Sequence, residues 1–321
     1  PFLFLAGAVL VFFFAVSYSS WRFSIPSVLI YILLGVAAAS FLADAKTIHT
    51  VGEIGIVLLF FILGLDFPLA KMVDLSRRIW PAGLLDVVLN LGLSMALALG
   101  LGLDVLSAFV LGSVAYATSS SITAKLLEEK KRLAHAEAEF ILAILIFEDL
   151  VAPILVSFIV GLQGGGTVSA GFIALLCLKI LLLVLGAVLI GYYGFRKLHD
   201  FVARNLDTEF MPLLAVGVAL GYAGLAVTLG TSEVLGAFLA GIMLSETGKS
   251  KELEHLVLPL RDLTLPFFFF WFGSTISLNQ GLPLPGLLAA FILWAILGKL
   301  LSAYYGGRLF GLTPKSSTRA A

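Results

Sequence analysis

Residues 140–160, FILAILIFEDLVAPILVSFIV, place two adjacent carboxylates, Glu148 and Asp149, inside an otherwise almost wholly apolar run. About 20 apolar residues in helical form span the hydrocarbon core of a bilayer. An Asp at the centre of such a span costs about 2.5–3.5 kcal/mol even on a lenient insertion scale, so charges kept there mark ion paths and proton relays. Neighbouring residues lie about 100° apart around a helix, so the two carboxylates cannot face one point. One is expected to face an ion cavity and the other a partner. Pro153 lies four residues after Asp149 and frees a backbone carbonyl, so a bend is expected beside the carboxylates.

The rest of the chain fits a membrane setting. Of its 321 residues 60% are hydrophobic and 12% charged, against roughly 25% charged in soluble domains. Mean hydropathy is +1.08. The formal net charge is +0, which argues against nucleic acid as a partner. Cys177 is the one cysteine and forms no internal disulfide. The opening run PFLFLAGAVLVFFFAVS lacks a basic leader and a small-residue cleavage site, so it reads as a helix rather than a signal peptide.

Eleven apolar segments qualify as spans: 2–17, 26–43, 50–66, 80–101, 104–127, 135–160, 169–195, 209–229, 232–245, 264–278 and 284–310. The ninth and tenth are short, as tilted or broken helices are. Polar loops are expected near 125–139 and 246–262. The basic residues test the count. Arg22; Lys71, Arg77, Arg78; Lys125, Lys130, Lys131, Arg132; Arg196, Lys197, Arg204; Lys249, Lys251, Arg261; and the tail residues Arg308, Lys315, Arg319 all fall on one side. Lys46 alone falls on the other, and Lys179 and Lys299 are within spans. The split predicts a multi-pass plasma-membrane protein with the N-terminus outside and residue 321 in the cytoplasm. The whole reads as a single transmembrane domain, 1–321. An odd span count ending in the polar TPKSSTRAA points to further helices beyond it.

Other polar groups also fall inside the spans. The fifth span contains AYATSSS at 115–121. Four hydroxyls in a row make a poor apolar helix, and Ser and Thr satisfy freed backbone groups. Thr118, Ser119 and Ser120 are therefore candidate ion-binding residues on an unwound stretch, alongside Asp149 and Glu148. Transporters place such breaks at the substrate site. Lys299 is more than two turns from either end of the last span, so a carboxylate partner is expected rather than snorkelling. Gly298 beside it permits close helix approach. Asp86 and Asn90 share a face of span four, and Asp86 is a plausible partner for a buried lysine. Lys179 is a further intraspan charge, divided between structural pairing and transport.

The chain resembles a known family in several motifs. IPSVLIY at 25–31 with Gly35 looks like P-x-V-L-G-Y-x-x-x-G, with Ile30 in place of the glycine. The run from Gly52 and Glu53 through Gly64, Leu65 and Asp66 is similar to E-x-G-x-x-x-L-L-F-x-x-G-L-E. SEVLGAFLAG at 232–241 resembles S-x-x-L-G-A-F-x-A-G, and PFFF at 266–269 with Gly273 resembles P-F-F-F-x-x-x-G. These motifs identify the chain as similar to the monovalent cation:proton antiporter superfamily, branch two, with its Kef-type potassium and NapA-type sodium antiporters. The resemblance implies an all-α polytopic fold with inverted repeats and discontinuous helices, about 11 present of 13. It also implies a homodimer, and residues 118–121 look like the first of two crossed broken helices. Asp149 matches the family's ion- and proton-binding aspartate, and Lys299 looks like the core lysine that pairs with it. Glu148 stands where relatives commonly carry Asp, Asn or Gln.

The expected activity is exchange of a monovalent cation, potassium before sodium, for protons. Asp149 binds one or the other but not both, and access alternates between faces. No nucleotide-binding loop G-x-x-x-x-G-K-[ST] is present, and no cofactor is expected. A cation channel, or a regulated potassium efflux pathway without strict proton coupling, is the alternative. An enzyme is disfavoured because His49, His135, His199 and His255 fall in loops or at span ends. Expected partners are the lipid bilayer, a second copy of the chain, and a cytoplasmic regulatory domain or subunit.

Overall fold

The hydrophobic runs fold as helices because a backbone in lipid satisfies its hydrogen bonds within each segment. In the computed structural model, residues 2–23, 25–39, 46–67, 69–163, 170–195, 210–276 and 285–321 are described. The helices are α1 (Phe2–Phe23), α2 (Ser27–Ala38), α3 (Lys46–Leu65), α4 (Leu69–Asp86), α5 (Leu93–Gly100), α6 (Val105–Tyr116), α7 (Ser120–Glu129), α8 (Ala136–Gln163), α9 (Ala170–Leu189), α10 (Met211–Thr228), α11 (Glu233–Ser245), α12 (Ser250–Ser274), α13 (Pro285–Phe310) and α14 (Pro314–Ala320). A π-helical turn, Val87–Gly92, joins α4 to α5. A second, Ile190–Phe195, extends α9. Among the described residues seven helices are long and apolar enough to cross a membrane.

Each expected span holds helix, and the fifth is interrupted at 117–119. Two expectations are corrected. The segment 246–262 is not a loop, since α12 starts at Ser250. Leu253, Val257 and Arg261 recur every four residues and are all buried, so this polar segment has an inward stripe that continues the helix. Arg261 therefore leaves the loop basic set. Likewise α4 starts at Leu69, so Arg77 and Arg78 are helical, and Lys125 belongs to α7. Position 153 lies inside α8, which is helical on both sides of it. The basic residues Arg196, Lys197 and Arg204 lie outside the described residues.

Packing sorts the helices into two bundles. In the first, α3 is central and lies on α12, α11 and α10, while α2 packs on α12 and α1 on α2. In the second, α13 packs on α4, α6 on α5, and α8 on α4, with α14 against α13 and α8. Two crossings in the first bundle are the same contact made twice. A Cβ at Gly64 would strike the Phe238 carbonyl, and one at Gly241 the Phe61 carbonyl. Gly35 and Gly273 meet the carbonyls of Phe270 and Ile32 in the same way. Each partner carbonyl lies three residues before the partner glycine. Small residues at such crossings let backbones meet in lipid, and the duplication of α2–α12 as α11–α3 is the pattern an internal repeat produces.

Candidate ion-binding site

The fifth span breaks at its hydroxyl-rich stretch. α6 ends at Tyr116, Ala117 is extended, and α7 starts at Ser120. Ser119 caps α7 by accepting from the Ile122 N–H. The break frees the Thr118 N–H, which donates to Oε2 of Glu148 at 2.8 Å, while the Thr118 hydroxyl donates to Oε1 at 3.1 Å. Backbone and side chain of one unwound residue thus grip one carboxylate, the expected solution for a donor released inside a membrane.

Glu148 also accepts from Lys299 Nζ at 2.9 Å. Lys299 is 3.3 Å from both Asp86 oxygens, and its ammonium lies 5.2 Å from the centre of the Tyr116 ring, within cation–π range. Asp86 in turn accepts from Asn90 Nδ2 at 2.7 Å, and that nitrogen also reaches Ser302 Oγ at 3.2 Å. Asp86, Asn90, Glu148 and Ser302 are all buried. A cavity of about 560 Å³ is lined by Asp86, Thr118, Ser119, Glu148, Lys299 and Ser302 among others.

Asp149 points elsewhere. It is half-buried and faces the first bundle, in a crevice formed with Phe60 and Leu63 of α3 and Val234, Leu235 and Phe238 of α11. A separate recess of about 110 Å³ reaches Asp149 between α6 and α8, past Tyr116, Ala152 and Leu155. Ser120 supplies its hydrogen-bonding side chain. Among the described residues no basic group lies within ion-pair distance of Asp149.

The expected Lys299–Asp149 pair is not the one this structure holds: here Lys299 pairs with Glu148 and Asp86. The 100° between adjacent helical residues is the reason. α13 and α4 lie on the Glu148 side of α8, and α3 and α11 on the Asp149 side. The candidate hydroxyls divide in the same way, Thr118 to Glu148, Ser119 to its cap and Ser120 to Asp149. Lys179 is half-buried on α9, lines none of these spaces, and stands apart from the cluster because α9 packs on α8, α11 and its own π extension.

The family model for the transmembrane sodium/hydrogen exchanger matches residues 8–321. The chain belongs to that family, within the monovalent cation:proton antiporter superfamily. It is 48% identical over 320 residues to the ammonium/H(+) antiporter subunit AmhT of Alkalihalophilus pseudofirmus, covering 100% of this chain and 82% of the relative. It is 32% identical over 291 residues to the K(+)/H(+) antiporter subunit KhtU of Bacillus subtilis, covering 89% and 70%. It is 30% identical over 300 residues to the high-affinity Na(+)/H(+) antiporter NhaS3 of Synechocystis, covering 89% and 64%. The sodium proton antiporter MjNhaP1 of Methanocaldococcus jannaschii shares the fold, with a TM-score of 0.72 at 20% identity over 99% of this chain and 80% of that one.

In this exchanger the sequence reading missed Tyr116, Ser302 and the pairing of Glu128 with Arg261. Ser302 was findable, since it lies one turn from Lys299 on the same face. Tyr116 carried no signal beyond its place before the break. Arg261 was hidden by its assignment to a loop. Its Nη1 lies 2.5 Å from Glu128 Oε1, and its Nη2 lies 2.6 Å from Asp262. Beside this pair, Glu129 accepts from the Ser27 N–H at 3.1 Å and from the Ser27 hydroxyl. The C-terminal end of α7 is thereby fastened to α2 and α12 of the first bundle.

Proposed function

We propose that this chain exchanges a monovalent cation for protons, with Asp149 as the shared site. The observation that carries the reading is the position of Asp149, a carboxylate with no basic partner among the described residues, in an apolar crevice between two bundles. A lone ionised carboxylate there is costly, and either a proton or a cation relieves it. Relative movement of the bundles then alternates access. Ser120 supports the cation beside Asp149, while Glu148 and Lys299 pair on the other side of α8. Potassium remains the preferred cation. Ammonium, of similar size, joins it because the relatives at 48% and 32% identity are named for ammonium and for potassium, and sodium is the runner-up.

The protein is read as a plasma-membrane homodimer with its N-terminus outside and its basic loops in the cytoplasm. Two relatives are named as antiporter subunits, which supports a regulatory partner. The test is cation-driven proton flux in vesicles holding a pH dye, with potassium, ammonium or sodium supplied alone. Exchange that is lost in Asp149→Asn is the expected result. Voltage-driven cation current without proton movement would favour the channel reading instead.

A further inference from the structure

Lys299 has two anionic neighbours where an ion pair needs one, and the two are held differently. Glu148 is gripped by Thr118 in the unwound link between α6 and α7, so its placement follows the state of that link. Asp86 is held by continuous structure. It immediately precedes the π turn Val87–Gly92 and accepts from Asn90 within it. Asn90 is fully buried and ties back to Ser302, three residues beyond Lys299 on α13 itself. A Cβ at position 298 would run into the Asn90 side chain, so glycine there lets α13 seat directly against the π turn. π turns inside α-helices recur at functional sites. Here the turn sets Asp86 with both oxygens toward one ammonium.

We propose that Asp86 is a positioning residue, the standing counter-ion that keeps the Lys299 ammonium in the second bundle when Glu148 releases it. Asp86 lines the 560 Å³ cavity but neither of the spaces at Asp149. It acts through Lys299 rather than on the cation. A lysine with one carboxylate would be stranded, or drawn toward Asp149, whenever that carboxylate turned away. With two it remains paired, and Asp149 is left open to its exchanging ions. The transport consequence rests on the antiport reading, whereas the charge arrangement does not.

The experiment therefore has two arms. In the first, thermal melting of the full protein in detergent is measured for Asp86→Asn, Glu148→Gln and the double variant. Each single change leaves Lys299 one carboxylate and lowers Tm slightly. The double change strands the ammonium and lowers Tm by more than the sum, and adding Lys299→Met recovers the loss. Simple additivity of the two changes would overturn the assignment. In the second arm, potassium- and ammonium-driven proton flux is measured in proteoliposomes. Asp86→Asn is expected to lower the maximal rate about tenfold, the scale of one displaced charge-assisted hydrogen bond, with little change in KM. Asp86→Glu is expected to restore the rate. A raised KM at unchanged maximal rate would make Asp86 a cation contact and reject the positioning role. Absence of exchange by the unmutated protein with every cation would reject the antiport reading alone, and the melting cycle would still decide the counter-ion.

Discussion

Lys299 Nζ lies 2.9 Å from Oε1 of Glu148, while Asp149, the next residue on the same helix, turns to the opposing bundle. Two adjacent carboxylates thus hold unlike positions. Removing the charge of each has a different consequence. Asp149→Asn is expected to abolish exchange while leaving Tm equal or higher, because it removes a carboxylate that has no basic partner among the described residues. Glu148→Gln is expected to lower Tm, because it weakens an ion pair. Melting curves and vesicle flux on the two variants check this, and matching phenotypes would show that the carboxylates share one role.

Lys299→Ala leaves Asp86 and Glu148 facing each other without their cation. Stripping one partner from a buried ion pair costs about 3–5 kcal/mol. The larger part of that penalty is expected, because the Lys299 side chain is 29% exposed and both carboxylate side chains are under a tenth exposed. Chemical denaturation in detergent gives the measurement. A loss below that of Glu148→Gln would mean that the carboxylates are neutral without the lysine.

Thr118→Val keeps the backbone donor to Glu148 and deletes the hydroxyl donor. A hydrogen bond to a charged group contributes about 1.5–3 kcal/mol, so the variant is expected to melt lower and exchange more slowly, with Thr118→Ser close to the parent. An unchanged Thr118→Val would leave the backbone N–H as the whole of the grip.

Glu128 and Arg261 join α7 to α12 across the two bundles, and Arg261 is 3% exposed. Lys125 backs Glu128 at 3.0 Å, and Asp262 backs Arg261. A charge reversal would therefore create new clashes, so neutral variants are the cleaner probe. Glu128→Gln and Arg261→Gln are expected to show a coupling of about 0.5–3 kcal/mol in a double-mutant cycle. Independent effects would mean that the contact does not bind the bundles together.

Gly241→Ala drives a methyl group into the Phe61 carbonyl at the α3–α11 crossing. Overpacking of this kind costs about 1–3 kcal/mol or more. Gly217→Ala and Gly224→Ala on α10 meet open space and are expected to be neutral or mildly stabilising, since Ala exceeds Gly in helix propensity by about 1 kcal/mol. Fluorescence-detected size exclusion after heating separates the two classes. Equal behaviour would remove the reason for glycine at the crossing.

The sequence by itself determined the spans, because hydropathy and backbone satisfaction in lipid are properties of each segment alone. It determined the break at residues 117–119, where hydroxyls replace apolar side chains. It also determined that Glu148 and Asp149 face different ways, since the helical angle between neighbours is fixed. The start of α12 at Ser250 was less legible, because burial of Leu253, Val257 and Arg261 depends on the helices beside them. Tertiary structure alone decided which carboxylate receives Lys299, 151 residues from Glu148 and 213 from Asp86. A helix sets the direction of each side chain about its own axis, but the neighbour met in that direction is set by packing. Glycine crossings and the π turn after Asp86 place α13 and α4 on one side of α8, and α3 and α11 on the other. That arrangement joined Glu148 to the lysine and left Asp149 between the bundles.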